Sequence, residues 1–334
     1  MYHAYIIVLL FLKVYIIITT INIMNKAGDY TYRKILGQGT YGVVVEGYNK
    51  HNGDHVAIKI IRPKYALNIQ LITKEFEIGK KAAEVCPYVG RYITMFDDDA
   101  PNIKGIDFVG RYTTFVVLEY IPGYTLEQYM KCQRDTNYNI SPQEWCVFMG
   151  LLYKIMGCLH SHNIVHGDFN PGNIHYNTAE KSLLTIDFGG ACYINSGRSM
   201  IFRDVCGSGK IITPPLYALP VMRKLKASRK NADDENIYRA NDLYTLLVIG
   251  LLLIDNKLFN IIVSDKIVTK EWLKGITPFI KNSVKHYKNE VGDEADEIGN
   301  FLLKYSTLLE QGDYTVTAED MVKSLKMKNI LFGT

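Results

Sequence analysis

Asp168 and Asn173 stand five residues apart in His166-Gly-Asp-Phe-Asn-Pro-Gly-Asn173, a stretch that glycine and proline keep from being helical. On a tight loop an aspartate can accept or orient the proton of an incoming hydroxyl, and an asparagine can offer an amide oxygen to a hard cation. Asp187, in Leu184-Thr-Ile-Asp-Phe-Gly189, follows a short apolar run and adds a carboxylate for the same cation. Lys59 closes Val56-Ala-Ile-Lys59, where an ammonium on an apolar strand can neutralise phosphate oxygens. Upstream, Gly37-Gln-Gly39-Thr-Tyr-Gly42-Val-Val44 supplies glycines that let a backbone approach phosphates without side-chain clash. Each feature has a plainer reading: a bare turn for the glycines, a solvent-reaching edge lysine, helix caps for the acids. Their order along one chain favours the chemical reading over the plain one. A dinucleotide site would use similar glycines, but to open a helix; here the strand-formers Val43, Val44 and Val45 follow, so the glycines cap a hairpin.

Elements must hold these groups in place. Tyr32 to Val56 reads as strand, glycine turn and strand, with Asn52-Gly53 signalling the next hairpin. Ile72–Val85 has helical spacing, and its register places Glu75 on the inward face with Phe76, Ile78 and Ala82. That makes Glu75 the favoured carboxylate to fix Lys59, with Glu77 the alternative. Thr114–Tyr120 reads as a buried strand ending at Pro122-Gly123. Thr125–Lys131 and Ser141–His162 read as helices, the second opened by Ser141-Pro with Glu144 in capping-box position. Two short strands flank Asn177–Lys181, and helices dominate from Asn241 onward. Strands first and helices afterwards predict a small sheet-based part joined to a larger helical one.

Taken in order, the motifs resemble those of the protein kinase superfamily from Tyr32 to about Ser324. The resemblance implies an α+β, bilobal fold: residues 24–121 as a small antiparallel β-sheet lobe with one helix, and 122–334 as a larger, mostly helical lobe. It implies ATP and Mg²⁺ as cofactors and a protein substrate, with phosphoryl transfer to Ser or Thr hydroxyls. Asp168 would be the catalytic base, Asn173 and Asp187 the metal ligands, and Lys59, held by Glu75, the phosphate ligand. The glycines 37, 39 and 42 would cover the phosphates. Phe115–Gly123 resembles the strand and hinge that receive adenine, with Leu118 as gatekeeper and the backbones of Glu119 and Ile121 as hydrogen-bond partners. Leu36, Val44 and Ala57 would line the adenine pocket. Tyr217-Ala-Leu-Pro220 resembles the end of an activation segment, and Asp242 the residue that braces the catalytic loop.

Several positions depart from that pattern. Gly167 stands where an arginine usually precedes the catalytic aspartate, so a phosphorylated activation loop lacks its charge partner. Asn170 replaces the lysine that many serine/threonine kinases use at the transferred phosphate; it keeps a hydrogen-bond donor without the charge. His175 occupies the usual apolar floor of the adenine pocket. Val221 and Thr315 stand where a glutamate and an arginine usually form a buried pair, and losing both halves is easier to accept than losing one. Gly172 stands where tyrosine kinases place an arginine, which favours Ser/Thr acceptors; Thr213 lies one residue out of register with the usual threonine. The loop HGDFNPGN is also similar to that of aminoglycoside- and choline-kinase-like enzymes, so a small-molecule acceptor is the alternative. A pseudokinase scaffold is a third reading, opposed by the presence of Lys59, Asp168, Asn173 and Asp187.

Composition adds little. The net charge of +4 is too small to point to nucleic acid, and basic residues are scattered except at Arg223–Lys230. The six cysteines lie far apart without a C-x-x-C pair, which argues against a zinc site or disulfide framework and for an intracellular, cytoplasmic setting. Residues 1–23 form an apolar segment in which Ala4 to Ile23 has the length of a membrane span, interrupted by Lys13. About a dozen apolar residues at roughly −0.3 to −0.6 kcal/mol each against about +3 for the lysine leave insertion marginally favourable. The segment is either a membrane anchor, with the catalytic part held in the cytoplasm, or an extension upstream of a start at Met24, or a buried element.

Overall fold

The structure, a computed structural model, describes residues 25–39, 42–62, 69–101, 103, 112–136, 138–177, 182–194, 206, 213–228, 235–261 and 269–326. The apolar segment at residues 1–23 and its anchor reading lie outside the described residues. The described residues form two compact units: those up to Phe76 with those of Arg91–Ile121, and those of Glu77–Gly90 with those from Pro122 on.

The first unit is built on a six-stranded antiparallel sheet. Its strands are β1 (Asn25–Ala27), β2 (Tyr30–Gln38), β3 (Gly42–Asn49), β4 (His55–Ile61), β5 (Tyr92–Asp99) and β6 (Tyr112–Glu119), in the order β1-β2-β3-β4-β6-β5. Alternation of side chains along a strand sets the two faces. Tyr30, Tyr32, Val43, Val45, Val56, Ile58, Ile60, Phe115 and Val117 form one buried cluster. On the opposite face the register sets Val44 beside Lys59 and Ala57 beside Leu118. The Asn52-Gly53 signal is a tight turn, with Gly53 at φ 76° and its N–H donated to the Asn49 carbonyl at 2.9 Å. Helix α1 (Ile69–Val85) begins in this unit, with Ile72, Glu75 and Phe76 buried and Leu71 and Glu77 exposed.

The second unit is mostly helical: α2 (Leu126–Asp135), α3 (Pro142–Ser161), α4 (Pro220–Ser228), α5 (Asn236–Ile254), α6 (Asn256–Phe259), α7 (Thr277–Val291), α8 (Glu294–Glu310) and α9 (Ala318–Lys326). Short strand pairs accompany them: β7 (Tyr124–Thr125) with β9 (Ile174–Asn177) and β10 (Ser182–Thr185), and β8 (Ile164–Val165) with β11 (Cys192–Tyr193). The capping box read at Ser141 is present, with Glu144 N–H donated to Ser141 Oγ at 3.2 Å and Ser141 N–H to Glu144 Oε2 at 3.0 Å. Helix α5 is apolar and long enough to cross a membrane, but it is buried as the core helix of this unit, with Trp145 Nε1 donating to the Gly250 carbonyl at 2.8 Å. The stretch Glu77–Gly90 lies inside the 24–121 span yet groups with the second unit. Gly90 N–H donates to Thr185 O at 3.0 Å, and Thr185 N–H to Tyr88 O at 2.8 Å.

The cysteines correct the reading from spacing. Cys86 pairs with Cys158 and Cys192 with Cys206 as disulfides, leaving Cys132 and Cys146 free. Separations of 72 and 14 residues carry no motif, and only folding brings the partners' Cα atoms to 5.9 and 5.0 Å. The argument from unpaired cysteines to a reducing compartment therefore falls.

A further charge arrangement lies at the C-terminal end of α8. Glu310 Oε1 accepts hydrogen bonds from Tyr244 OH at 2.8 Å and from the amides of Ile276 and Thr277 at 2.7 and 3.3 Å. Arg223 on α4 donates to the Trp272 carbonyl at 2.8 Å. Burial lowers the Arg223 pKa, while the fields of Tyr244 and Glu310 favour its charged form. An arginine on α4 thus faces a glutamate near the C-terminus, the reverse of the polarity absent at Val221 and Thr315. Replacing Glu310 by alanine removes the acceptor for several largely buried donors and should cost roughly 2–4 kcal/mol. Chemical denaturation of the full chain measures it, with the Glu310→Gln variant expected to lose less.

Candidate active site

In the first unit, Lys59 Nζ lies 2.6 Å from Glu75 Oε1, and both side chains are buried. Lys59 reaches this position because β4 places it on the face away from the apolar cluster, beside Val44 and Val116. Val44 and Ala57 are half-buried on that face. Leu36 is half-buried at the Ile35/Gly37 register shift in β2, and Ile121 is buried just past β6. Glu119 N–H is donated to the Arg91 carbonyl at 2.9 Å, which leaves this amide no proton for a further partner.

The three glycines separate into two kinds. A Cβ on Gly42 would collide with the Ile60 carbonyl, so this glycine is needed by the sheet itself. Gly37 and Gly39 face open space among the described residues, none of which comes within 4 Å of a Cβ placed there. Thr40 and Tyr41 lie outside the described residues; the turn is closed by Gly39 N–H donating to Gly42 O at 2.9 Å.

In the second unit, the loop that follows β8 is hung from helix α5. Asp242, 1% exposed, accepts the backbone N–H groups of His166 at 2.8 Å and Gly167 at 2.9 Å, and lies 3.2 Å from His160 Nε2. His166 is fully buried, and burial lowers its pKa. Its Nδ1 accepts the Asp168 N–H at 3.3 Å, which requires a neutral ring with the proton on Nε2, facing the Ile186 carbonyl at 3.2 Å. Beyond it the loop folds onto Asp168. Asn170 Nδ2 donates to Asp168 Oδ1 at 3.0 Å, and Asn170 Oδ1 accepts the Gly172 N–H at 2.9 Å, capping a short turn at Pro171–Asn173. Asn173 Nδ2 donates to the Asp168 carbonyl at 2.9 Å, which directs its amide oxygen away from the loop.

Asp187 is joined to this loop through the backbone, where Ile186 N–H donates to the Asn173 carbonyl at 2.9 Å. It sits at φ 61°, a left-handed conformation uncommon outside glycine and costing on the order of 1 kcal/mol. Its carboxylate accepts the Gly189 N–H at 3.2 Å. Asn173 and Asp187 thus offer an amide oxygen and carboxylate oxygens, hard donors that suit a magnesium ion.

Gly167 has a steric reason. It sits at φ 71°, and a Cβ there would collide with the Gly190 carbonyl, while a Cβ on Gly190 would come within 2.9 Å of Asp168 Cβ. The two backbones pack too closely for an arginine at 167. Sequence reasoning missed Gly190, for which the Gly189-Gly190 pair was the only signal. Nor did it place near this loop Lys226, visible only as part of the basic run Arg223–Lys230.

Burial raises the Asp168 pKa from the ordinary carboxylate range to about 7; the hydrogen bonds from Asn170 and Asn173 and the charge of Lys226 hold it down, while Asp187 adds to the rise. A carboxyl titrating near neutrality is suited to accepting a proton.

The chain belongs to the protein kinase domain family, which matches residues 30–230. It is 28% identical over 208 residues to the probable serine/threonine-protein kinase MARK-C of Dictyostelium discoideum, covering 61% of this chain and 23% of that protein. It is 29% identical over 184 residues to calcium-dependent protein kinase 5 of Plasmodium falciparum, covering 54% and 29%. To the serine/threonine-protein kinase drp72 of Corynebacterium efficiens it is 26% identical over 223 residues, covering 66% and 38%. The chain thus spans well under half the length of these relatives.

In metal-free protein, carbon-detected NMR should show the Asp168 carboxyl titrating near pH 7. Asn170→Ala removes a hydrogen bond that favours the charged form, so the midpoint should move upward. A midpoint near that of an ordinary aspartate would contradict the burial of this group.

Proposed function

We propose that the chain transfers the terminal phosphoryl group of ATP to Ser or Thr hydroxyls of protein substrates, with Asp168 as the catalytic base. The observation that carries this reading is the loop itself: Asp168, held by Asn170 and Asn173, stands next in space to Asp187 on a frame fixed by Asp242. The buried Lys59–Glu75 pair supports it, because an ammonium anchored at 2.6 Å by a carboxylate is pre-positioned for phosphate oxygens. Membership of the protein kinase domain family and the serine/threonine kinase names of the relatives support the choice of acceptor.

Each residue has a distinct task. Lys59, oriented by Glu75, neutralises the α- and β-phosphates. Leu36, Val44 and Ala57 receive the adenine, with the Glu119 carbonyl and Ile121 amide as its hydrogen-bond partners. Gly37 and Gly39 leave room for phosphate oxygens. Asn173 and Asp187 hold Mg²⁺, which when bound neutralises charge on the phosphates. Asp168 orients the acceptor hydroxyl and takes its proton; the neutral His166, fixed by Asp168 N–H and Ile186 O, keeps the loop from turning. Positioning and charge stabilisation carry most of the rate in such a transfer, and the base contributes the remainder.

The test uses the full chain with γ-labelled ATP, Mg²⁺ and casein, alongside self-phosphorylation. Label should appear on serine or threonine. Asp168→Ala should lower kcat by roughly 10²–10⁴-fold with little change in ATP binding. Turnover of a small alcohol with no protein labelling would replace this reading with a small-molecule kinase. ATP binding without any transfer would replace it with a scaffold.

A further inference from the structure

We propose that Lys226, on helix α4, supplies at the transferred phosphoryl group the positive charge that the catalytic loop itself lacks. The inference rests on the phosphotransfer reading above. From His166 to Asn173 the loop carries no cation: His166 is neutral and buried, and position 167 admits only glycine. Asn170 does not fill the gap, since its amide is turned onto Asp168 and its oxygen onto Gly172. A transferring phosphoryl group spreads negative charge over its equatorial oxygens, and a fixed cation near them lowers the barrier.

Lys226 is brought to the loop by a chain of contacts. Its Nζ donates to the Thr213 carbonyl at 3.2 Å. Thr213 Oγ1 in turn donates to the carbonyl of Gly167, the residue immediately before Asp168. Asn241, beside Asp242 on α5, fixes both ends of the connecting segment: its Nδ2 donates to Thr213 Oγ1 at 3.0 Å, and its Oδ1 accepts the Leu219 N–H at 2.9 Å. The helix carrying Lys226 starts one residue later, at Pro220. Asn241 and Asp242 thus hold the lysine's support and the loop from adjacent positions on one helix.

The electrostatics agree with the geometry. Among the described residues, Lys226 is the cation whose charge bears on Asp168, and Asp168 favours the charged form of Lys226 against the effect of burial. Lys226 is exposed as a residue, and its ammonium is held at the Thr213 carbonyl beside the loop.

In the step itself, the acceptor oxygen forms a bond to the γ-phosphorus as the bond from that phosphorus to the bridging oxygen of ADP breaks. The bridging electron pair leaves with ADP, and the acceptor's proton passes to the Asp168 carboxylate and then to solvent. Lys226 stays protonated throughout, and its contribution is charge alone.

The test compares the full chain with Lys226→Gln and Lys226→Arg, using ATP, Mg²⁺ and casein, with thermal melting of each. Gln removes the charge and keeps an N–H donor, on a side chain one bond shorter, for the Thr213 carbonyl. It should lower kcat roughly 10²-fold while KM for ATP changes by less than about threefold. Arg should recover all but about tenfold of that loss, with melting unchanged in both. Lys226→Gln activity within about threefold of the parent, an Arg variant as slow as the Gln variant, or a loss tracking a lower melting temperature would each overturn the proposal. No transfer by the parent chain would end the kinase reading itself, and the proposal with it.

Discussion

The carboxylate of Asp242 is the interaction on which the rest of the candidate site depends. A loop buried against a helix must find acceptors for its backbone N–H groups, and each one left without a partner costs on the order of 1–3 kcal/mol. Here one fully buried side chain accepts two of them in succession, at His166 and Gly167. That fixes the direction in which the chain leaves β8 and therefore where Asp168 lies. The remaining contacts, from His166 Nδ1 to Asp168 N–H and from Asn170 and Asn173 to Asp168, refine a position already set. Because Asp242 belongs to the central apolar helix, the site inherits the rigidity of the core around Trp145 and Gly250.

The departures from the family's pattern become consistent when each is matched with its surroundings. Glycine at 167 follows from the approach of the Gly190 backbone, which leaves no volume for any Cβ. Asparagine at 170 gives up a charge but closes the turn over Gly172 and holds one Asp168 oxygen, which lysine could not do through the same geometry. Valine at 221 removes an acid from the start of α4, while Arg223 and Glu310 place charges of reversed polarity about Tyr244.

Much of this was legible in the sequence because it is local. The capping box at Ser141, the turn at Asn52-Gly53, and the inward face of α1 carrying Glu75 are all set by residues within a few positions of one another. The strand β5 was harder to see: Tyr92–Asp99 ends in three aspartates, and its partly polar pattern hides a strand that pairs with β6. Helix α4 is short and rich in lysine and arginine, so it read as a basic patch and not as an element. The disulfides were invisible for a different reason. Pairing of Cys86 with Cys158 depends on the end of α1 lying beside the end of α3, a relation between distant segments that no spacing rule encodes. Gly37 and Gly42 look alike in a motif, yet in the folded sheet a Cβ at Gly42 would meet the Ile60 carbonyl while one at Gly37 would meet no described atom.

Helix α4 then acquires a meaning that neither its composition nor its length suggested. Arg223 and Lys226 are three residues apart, neighbours on a helix surface, so one short element presents these two cations side by side. Arg223 points to the Trp272 carbonyl and the field of Glu310, tying the helix to the core. Lys226 points to Thr213 and the field of Asp168, tying it to the loop. A cation delivered from a loop moves with that loop. Delivered from a helix anchored at both charges, it is set by the packing of the whole unit. That difference explains how a catalytic loop built from glycine, asparagine and proline can go without a lysine of its own: the charge has a stiffer support nearby, held to the same helix α5 that holds the loop.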